Sequence, residues 1–163
     1  TKGCRKSTRS TILDNMDKVK ASTFFSAGEK AAIEAAIQEA EKNTSGEIRL
    51  HVETRCTEEA LDRAAYWFAE LKMHKTEQRN GVLFYLALAD RKFAILGDVG
   101  INAKVPTGFW DEVSALVLAD FKQQKFAQGL IVGIHKAGEN LKAFFPYQSD
   151  DVNELSDEIS FGK

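Results

Sequence analysis

A three-layer αβα sandwich around a small mixed sheet of about four strands is the fold class this sequence predicts, and three observations carry it. Amphipathic helical stripes recur along the chain, an alternating strand and a continuously apolar strand lie between them, and Asp90-Arg91 offers a tight turn after the apolar one. A length of 163 residues fits one domain with one core. Hydrophobic residues make up 44% and charged residues 28%, a globular composition, and a formal charge of -2 provides no whole-chain basic field, so nucleic acid is not an expected partner.

Residues 1–20 form the first segment, expected to be a flexible arm. Its opening carries Lys2, Arg5, Lys6 and Arg9 with no apolar anchor to offset the entropy of ordering; an anionic-surface tether is the functional alternative. Residues 21–147 are expected to hold the folded domain. Ser26 and Glu29 spell a capping box, after which Ile33, Ala36, Ile37 and Ala40 share one helical face and Asn43-Thr44-Ser45-Gly46 ends the run. From Glu47 to Thr54 the pattern alternates, with Ile48, Leu50 and Val52 on one side and Arg49, His51 and Glu53 on a polar side.

Thr57 is placed to cap a second helix with Leu61, Ala64, Ala65, Phe68 and Leu71 inward. Val82 to Leu88 then reads as a central strand covered on both faces, and the turn returns the chain antiparallel through Lys92 to Gly97. After a Gly-rich loop, Pro106-Thr107 introduces a third helix with Trp110, Val113, Val117 and Phe121 inward. The fourth runs over 128–145, with Gly129, Gly133 and Gly138 thinning one flank for a neighbouring backbone. The segment 73–77 is the candidate for a fourth strand. Residues 148–163 form an acidic tail, with Asp150, Asp151, Glu154, Asp157 and Glu158; it is expected to be solvated, and Val152, Leu155 and Ile159 at helical spacing give the alternative of docking.

Strand direction gathers the candidate chemistry. Parallel first and second strands start at one sheet edge and the antiparallel third ends there, so loops 44–47, 74–81 and 97–107 should meet. They bring Glu47, Glu77, Asn80, Gly97, Asp98, Gly100 and Asn102, with Asp111 one turn into the next helix. Oxygen-rich loops of this kind suit hard cations, which take carboxylates, amides and backbone carbonyls. Asp98-Val-Gly-Ile-Asn102 partly matches the opening of a calcium loop, but Phe109 stands where an EF-hand needs its bidentate acid. Asx-turns at Asp98 and Asn102 are the plain alternative.

Other chemistry finds little support. Cys4 and Cys56 lack ligand spacing, though one bridge between them stays open, and the chain has no Gly-x-Ser-x-Gly elbow, Walker loop or His-Glu-x-x-His pattern. The longest apolar run, residues 82–89, is under half a bilayer span, so membrane insertion is not expected and a cytoplasmic monomer is. A processed leader is the alternative, because the sequence starts without Met.

The ordered set Ser45-Gly-Glu-Ile48, Arg79-Asn-Gly-Val-Leu-Phe-Tyr-Leu-Ala-Leu-Ala-Asp-Arg91, Ile95-Leu-Gly-Asp-Val-Gly-Ile101 and Phe126-Ala-Gln-Gly-Leu-Ile131 resembles the TPM-domain family, in its short stand-alone form. The resemblance implies a four-stranded αβα sandwich whose crossing loops, here 74–81 and 97–107, can be stabilised by divalent metal. Asp98 replaces an aromatic common in the family. The expected function is a calcium- or magnesium-binding module, metal-responsive and regulatory or presenting a surface to a protein partner. The alternative, from a plant relative, is a metal-assisted acid phosphatase.

Overall fold

The computed structural model describes residues 20–149 and 152–162; nearly all of the expected arm, Cys4 included, lies outside them. In chain order the elements are α1 (Ala21–Phe24), α2 (Ala27–Glu41), β1 (Glu47–Glu53), α3 (Ala60–Glu70), β2 (Gly81–Ala87), β3 (Lys92–Gly97), α4 (Val99–Lys104), α5 (Asp111–Lys122), α6 (Phe126–Leu141) and β4 (Ser160–Phe161). The sheet order is β3-β2-β1-β4. Strand β1 pairs parallel with β2 from Glu47↔Gly81 to Glu53↔Ala87, and β3 runs back antiparallel from Ala87↔Lys92 to Val82↔Gly97. This is the predicted three-layer mixed architecture.

Local chemistry explains the elements. Ser26 Oγ accepts from the Glu29 N–H at 3.1 Å while Glu29 accepts from the Ser26 N–H at 2.9 Å, completing the box at the start of α2. Between β2 and β3 the turn closes with the Arg91 N–H donating to Leu88 O, and Arg91 has a φ of 53°. The glycines of α6 do bring helices close: an added Cβ at Gly133 would lie 2.3 Å from Val117, and one at Gly138 2.8 Å from Ala40.

The two faces of the sheet differ. On one, Ile48, Leu50, Val52, Val82, Phe84 and Leu86 pack with α2, α5 and α6 in the larger apolar core. On the other, Leu83, Tyr85 and Ala94 are covered mainly by Ala64 and Phe68 of α3.

Several expectations change. The fourth strand is not 73–77, a turn with Met73 buried; it is Ser160–Phe161 from the C-terminal segment, paired parallel with β1 at His51 and Val52. Leu155 and Ile159 are buried, so the described part of the tail docks on the domain. Helix α3 starts after Glu59 without a side-chain cap, not at Thr57, and Leu61 is exposed because only Ala64 and Phe68 of its stripe face the sheet. Helix α4 occupies part of what reads as a Gly-rich loop; the Asp98 carboxylate accepts from the Val99 N–H and nucleates it. His51 and Glu53, assigned to a polar face, are buried because α3 and β4 cover them; side chains satisfy Glu53 and pair with His51 Nδ1, while His51 Nε2 has no hydrogen-bond partner.

Candidate functional site

The loops converge as strand direction requires. The Glu47 N–H donates to Asn80 O at 3.1 Å, the Asp98 N–H to Gly81 O at 2.9 Å, and the Gly100 N–H to Arg79 O at 2.9 Å. At the crossing there is no room for a side chain: an added Cβ on Gly100 would sit 2.1 Å from Gln78 O.

Within this convergence the candidate ligands take separate places. Asp98 is buried, and both its oxygens receive the guanidinium of Arg79, Nε to Oδ2 at 2.7 Å and Nη2 to Oδ1 at 2.8 Å. That bidentate pair and the cap to Val99 occupy the carboxylate. Asn102 donates Nδ2 to Gly97 O at 3.1 Å, and with Asp111 it lines a cavity of about 280 Å³ near Trp110.

The other three candidates meet the C-terminal segment. Glu77 is exposed, and its N–H donates to Glu154 Oε2 at 3.0 Å. Asn80 is buried; its Nδ2 donates to Ser45 O at 2.9 Å, and its Oδ1 has no donor. Ser45, Glu77, Asn80 and Glu154 share a cavity of about 330 Å³ with Gln78, Gln148 and Val152. Glu47, 4% exposed, accepts the Glu154 N–H on Oε1 at 2.9 Å.

Beside that cavity lies a second, of about 210 Å³, lined in part by Glu41, Glu47, Asp157 and the 44–46 turn. Glu41 Oε1, Glu47 Oε2 and Asp157 Oδ1 are each buried without a hydrogen-bond donor. Burial first, then hydrogen bonding to Asp157 and Glu47, pushes the Glu41 carboxyl up to about 11. Burial also raises Glu47. Both shifts favour the protonated form, Glu41 the more strongly. Among the described residues, no group of three or more His, Cys, Asp or Glu side chains is placed to hold a metal ion.

Sequence reasoning missed Glu41, Glu154 and Asp157 as members of this region. The signal was the apolar spacing of Leu155 and Ile159, which docks the tail and carries its acids to the sheet edge. A second missed feature lies at the other end of β1. Glu53 accepts from Arg63 Nη2 at 2.7 Å and Nε at 3.0 Å, and also from the Trp67 indole and the Tyr85 hydroxyl. Burial raises its carboxyl, but these donors outweigh burial and hold it below the usual range. His51 stacks on Trp67 with ring centroids 3.9 Å apart and pairs Nδ1 with Ser160 Oγ at 2.8 Å. Burial pushes its imidazole down to about 4.

Residues 19–140 match the sequence profile of the TPM domain. The chain belongs to the TPM-domain family. Among solved structures, the TPM chain is similar to the BA42 protein of the psychrophilic bacterium Bizionia argentinensis, with 48% identity and a TM-score of 0.81 over 85% of this chain and 96% of that one. Two more distant N-terminal domains share the fold alone. One, from P. gingivalis, has 15% identity and a TM-score of 0.63 over 76% and 82% of the two chains; the other, of the cg2496 protein of Corynebacterium glutamicum, has 12% and 0.57 over 86% and 82%. Comparison with curated proteins gives no match. No helix among the described residues is long and apolar enough to cross a membrane.

Proposed function

We propose that this TPM domain binds a divalent cation, calcium or magnesium, at the sheet edge where the crossing loops meet the C-terminal segment, and that the ion sets the order of that edge for a protein partner. The observation that carries the reading is the set of three buried carboxyl oxygens without donors, on Glu41, Glu47 and Asp157. Hard cations take such oxygens, and a cation offsets repulsion that now calls for a proton.

Glu41, Glu47 and Asp157 would have to draw together to hold the ion, with Glu77, Asn80 and Glu154 in the adjoining cavity as further oxygen donors. Lys42 lines the same cavity but its ammonium pairs with Glu39 at 3.2 Å, and Arg79 is taken by Asp98, so the ion would supply the charge these carboxyls lack. Asp98 and Gly100 serve the same site indirectly: the Arg79–Asp98 pair and the close crossing fix the loop that carries Glu77 and Asn80. Asn102, Gly97 and Asp111 lie around the separate cavity beside Trp110 or against it, and the geometry favours them less.

Thermal unfolding with calcium, magnesium and EGTA tests the proposal. An ion at about 100 times its dissociation constant adds roughly 2.7 kcal/mol, so the midpoint should rise with metal and fall with chelator, and Glu47→Gln should abolish the response. An unfolding midpoint indifferent to all three additions would defeat the reading.

A further inference from the structure

The sheet carries a different kind of concavity at its far end. Strand β2 starts at the crossing loops and runs away from them, so Leu86 near its finish and Leu88 just past it stand at the opposite end from Glu47 and Asn80. Both leucines are fully buried, and they floor a cavity of about 200 Å³. Its walls are Leu118 and Phe121 of α5 and Phe126 of α6. Aromatic packing fixes those walls. Phe121 meets Phe93 and Phe126 with ring centroids 5.6 and 5.2 Å apart, and Phe126 meets Phe24 at 5.5 Å. Gly129 lets Phe121 lie close against α6, since an added Cβ there would stand 3.0 Å from the ring. Leu118, 42% exposed, lies at the mouth.

That mouth is positive. Arg91, in the turn between β2 and β3, and Lys122, in the last turn of α5, complete the lining, and no acid belongs to it. Among the described residues neither side chain makes an ion pair or a hydrogen bond. Asp90, next to Arg91, is engaged elsewhere: its carboxylate accepts the Cys56 N–H at 2.6 Å and lies 3.5 Å from Arg55. Helix α6 begins at Phe126 with no side-chain cap and no acidic residue in its first turn, so its uncompensated positive end adds to the field.

We propose that this cavity binds a small apolar carboxylate, with its ring or short chain on Leu86 and Leu88 and its carboxylate held by Arg91 and Lys122. A cavity of about 150 Å³ lined by Leu, Ile and Phe accommodates benzene. A cavity of about 200 Å³ therefore takes one ring with a short arm, and is too small for a nucleotide or a long acyl chain. The apolar floor favours the body of such a ligand, while a guanidinium fork and an ammonium select its charged end. The site shares no residue with the proposed cation site.

NMR titration of the whole chain with phenylacetate, in EGTA so that no divalent ion contributes, tests the assignment. Amides of Leu88, Arg91, Leu118, Phe121 and Lys122 should shift together and saturate, while those of Glu47 and Asp157 stay still. The neutral analogue phenylacetamide should bind roughly tenfold or more weakly. Arg91→Asn combined with Lys122→Gln should reduce phenylacetate to the affinity of the amide; asparagine tolerates the φ of 53° at position 91, so the turn is kept. Leu118→Trp, at an exposed position, should close the mouth and abolish binding. No saturation at these amides up to about 10 mM phenylacetate would overturn the site. Equal binding of phenylacetamide or of phenethylamine would overturn the carboxylate assignment, and full binding by the Leu118→Trp variant would overturn the location.

Discussion

Asp98 and Glu47 leave the sheet at the same edge and are both buried, but their surroundings differ in one respect. Asp98 comes with its own cation: Arg79 reaches it from the crossing loop, and the start of α4 adds an N–H. Glu53, at the far end of β1, is treated the same way by Arg63, Trp67 and Tyr85. Glu47 instead meets two more carboxyls, and burial raises Glu41 and Glu47 toward the protonated form. Carboxylates of the first kind are finished structural parts. The second kind is chemically incomplete, and that difference makes the Glu41–Glu47–Asp157 corner the place to look for an ion.

The largest expected effect concerns the crossing that positions both groups. Gly100→Ala places a methyl against Gln78 O and Arg79 O, and should cost about 3 kcal/mol in urea unfolding. A near-neutral result would mean the loops do not cross this tightly.

Next comes acid sensitivity from the finished network around Glu53. The folded His51 pKa is lowered from 6.5 to about 4, so the unfolded chain binds more protons between these values and stability falls as pH drops through that window. The His51 contribution to this fall should be about 3 kcal/mol, and His51→Asn should remove it.

The unfinished cluster predicts the opposite slope. Glu41 is raised from 4.5 to about 11, so the folded state keeps a proton that the unfolded state gives up, and stability without metal declines as pH rises above 4.5. In EGTA at pH 8, Glu41→Gln should be more stable than the parent by about 1–2 kcal/mol. A loss of stability in that variant would mean the carboxyls are already compensated.

The smallest effect separates the two kinds of acid most cleanly. Asp98→Ala removes a helix cap and the Arg79 pair that steadies the neighbouring loop, and should cost about 1 kcal/mol, weakening the thermal response to calcium without abolishing it. Loss of that response would make Asp98 a ligand.

Much of the frame was legible because period and caps are local. The capping box at Ser26, the apolar run of β2 and the turn at Arg91 all stand where residue spacing puts them, and strand direction correctly brought residues 47, 80 and 98 together. What stayed hidden depends on partners distant in sequence. Nothing near Asp98 announces that Arg79, 19 residues earlier, will neutralise it. Alternation placed Glu53 and His51 on a polar face, and only packing shows that α3 supplies the donors which let that face be buried. The fourth strand was missed because two residues carry too little pattern to be seen, and because docking by Leu155 and Ile159 turns an apparent acidic tail into part of the sheet.

Backbone amide shifts followed during a calcium titration bear most directly on the unfinished corner. The largest changes should fall at Glu41, Glu47, Glu154 and Asp157, saturating together, with Asp98 to Asn102 and Asp111 little moved. Changes confined to Asp98, Asn102 and Asp111, or none anywhere at millimolar calcium, would contradict it.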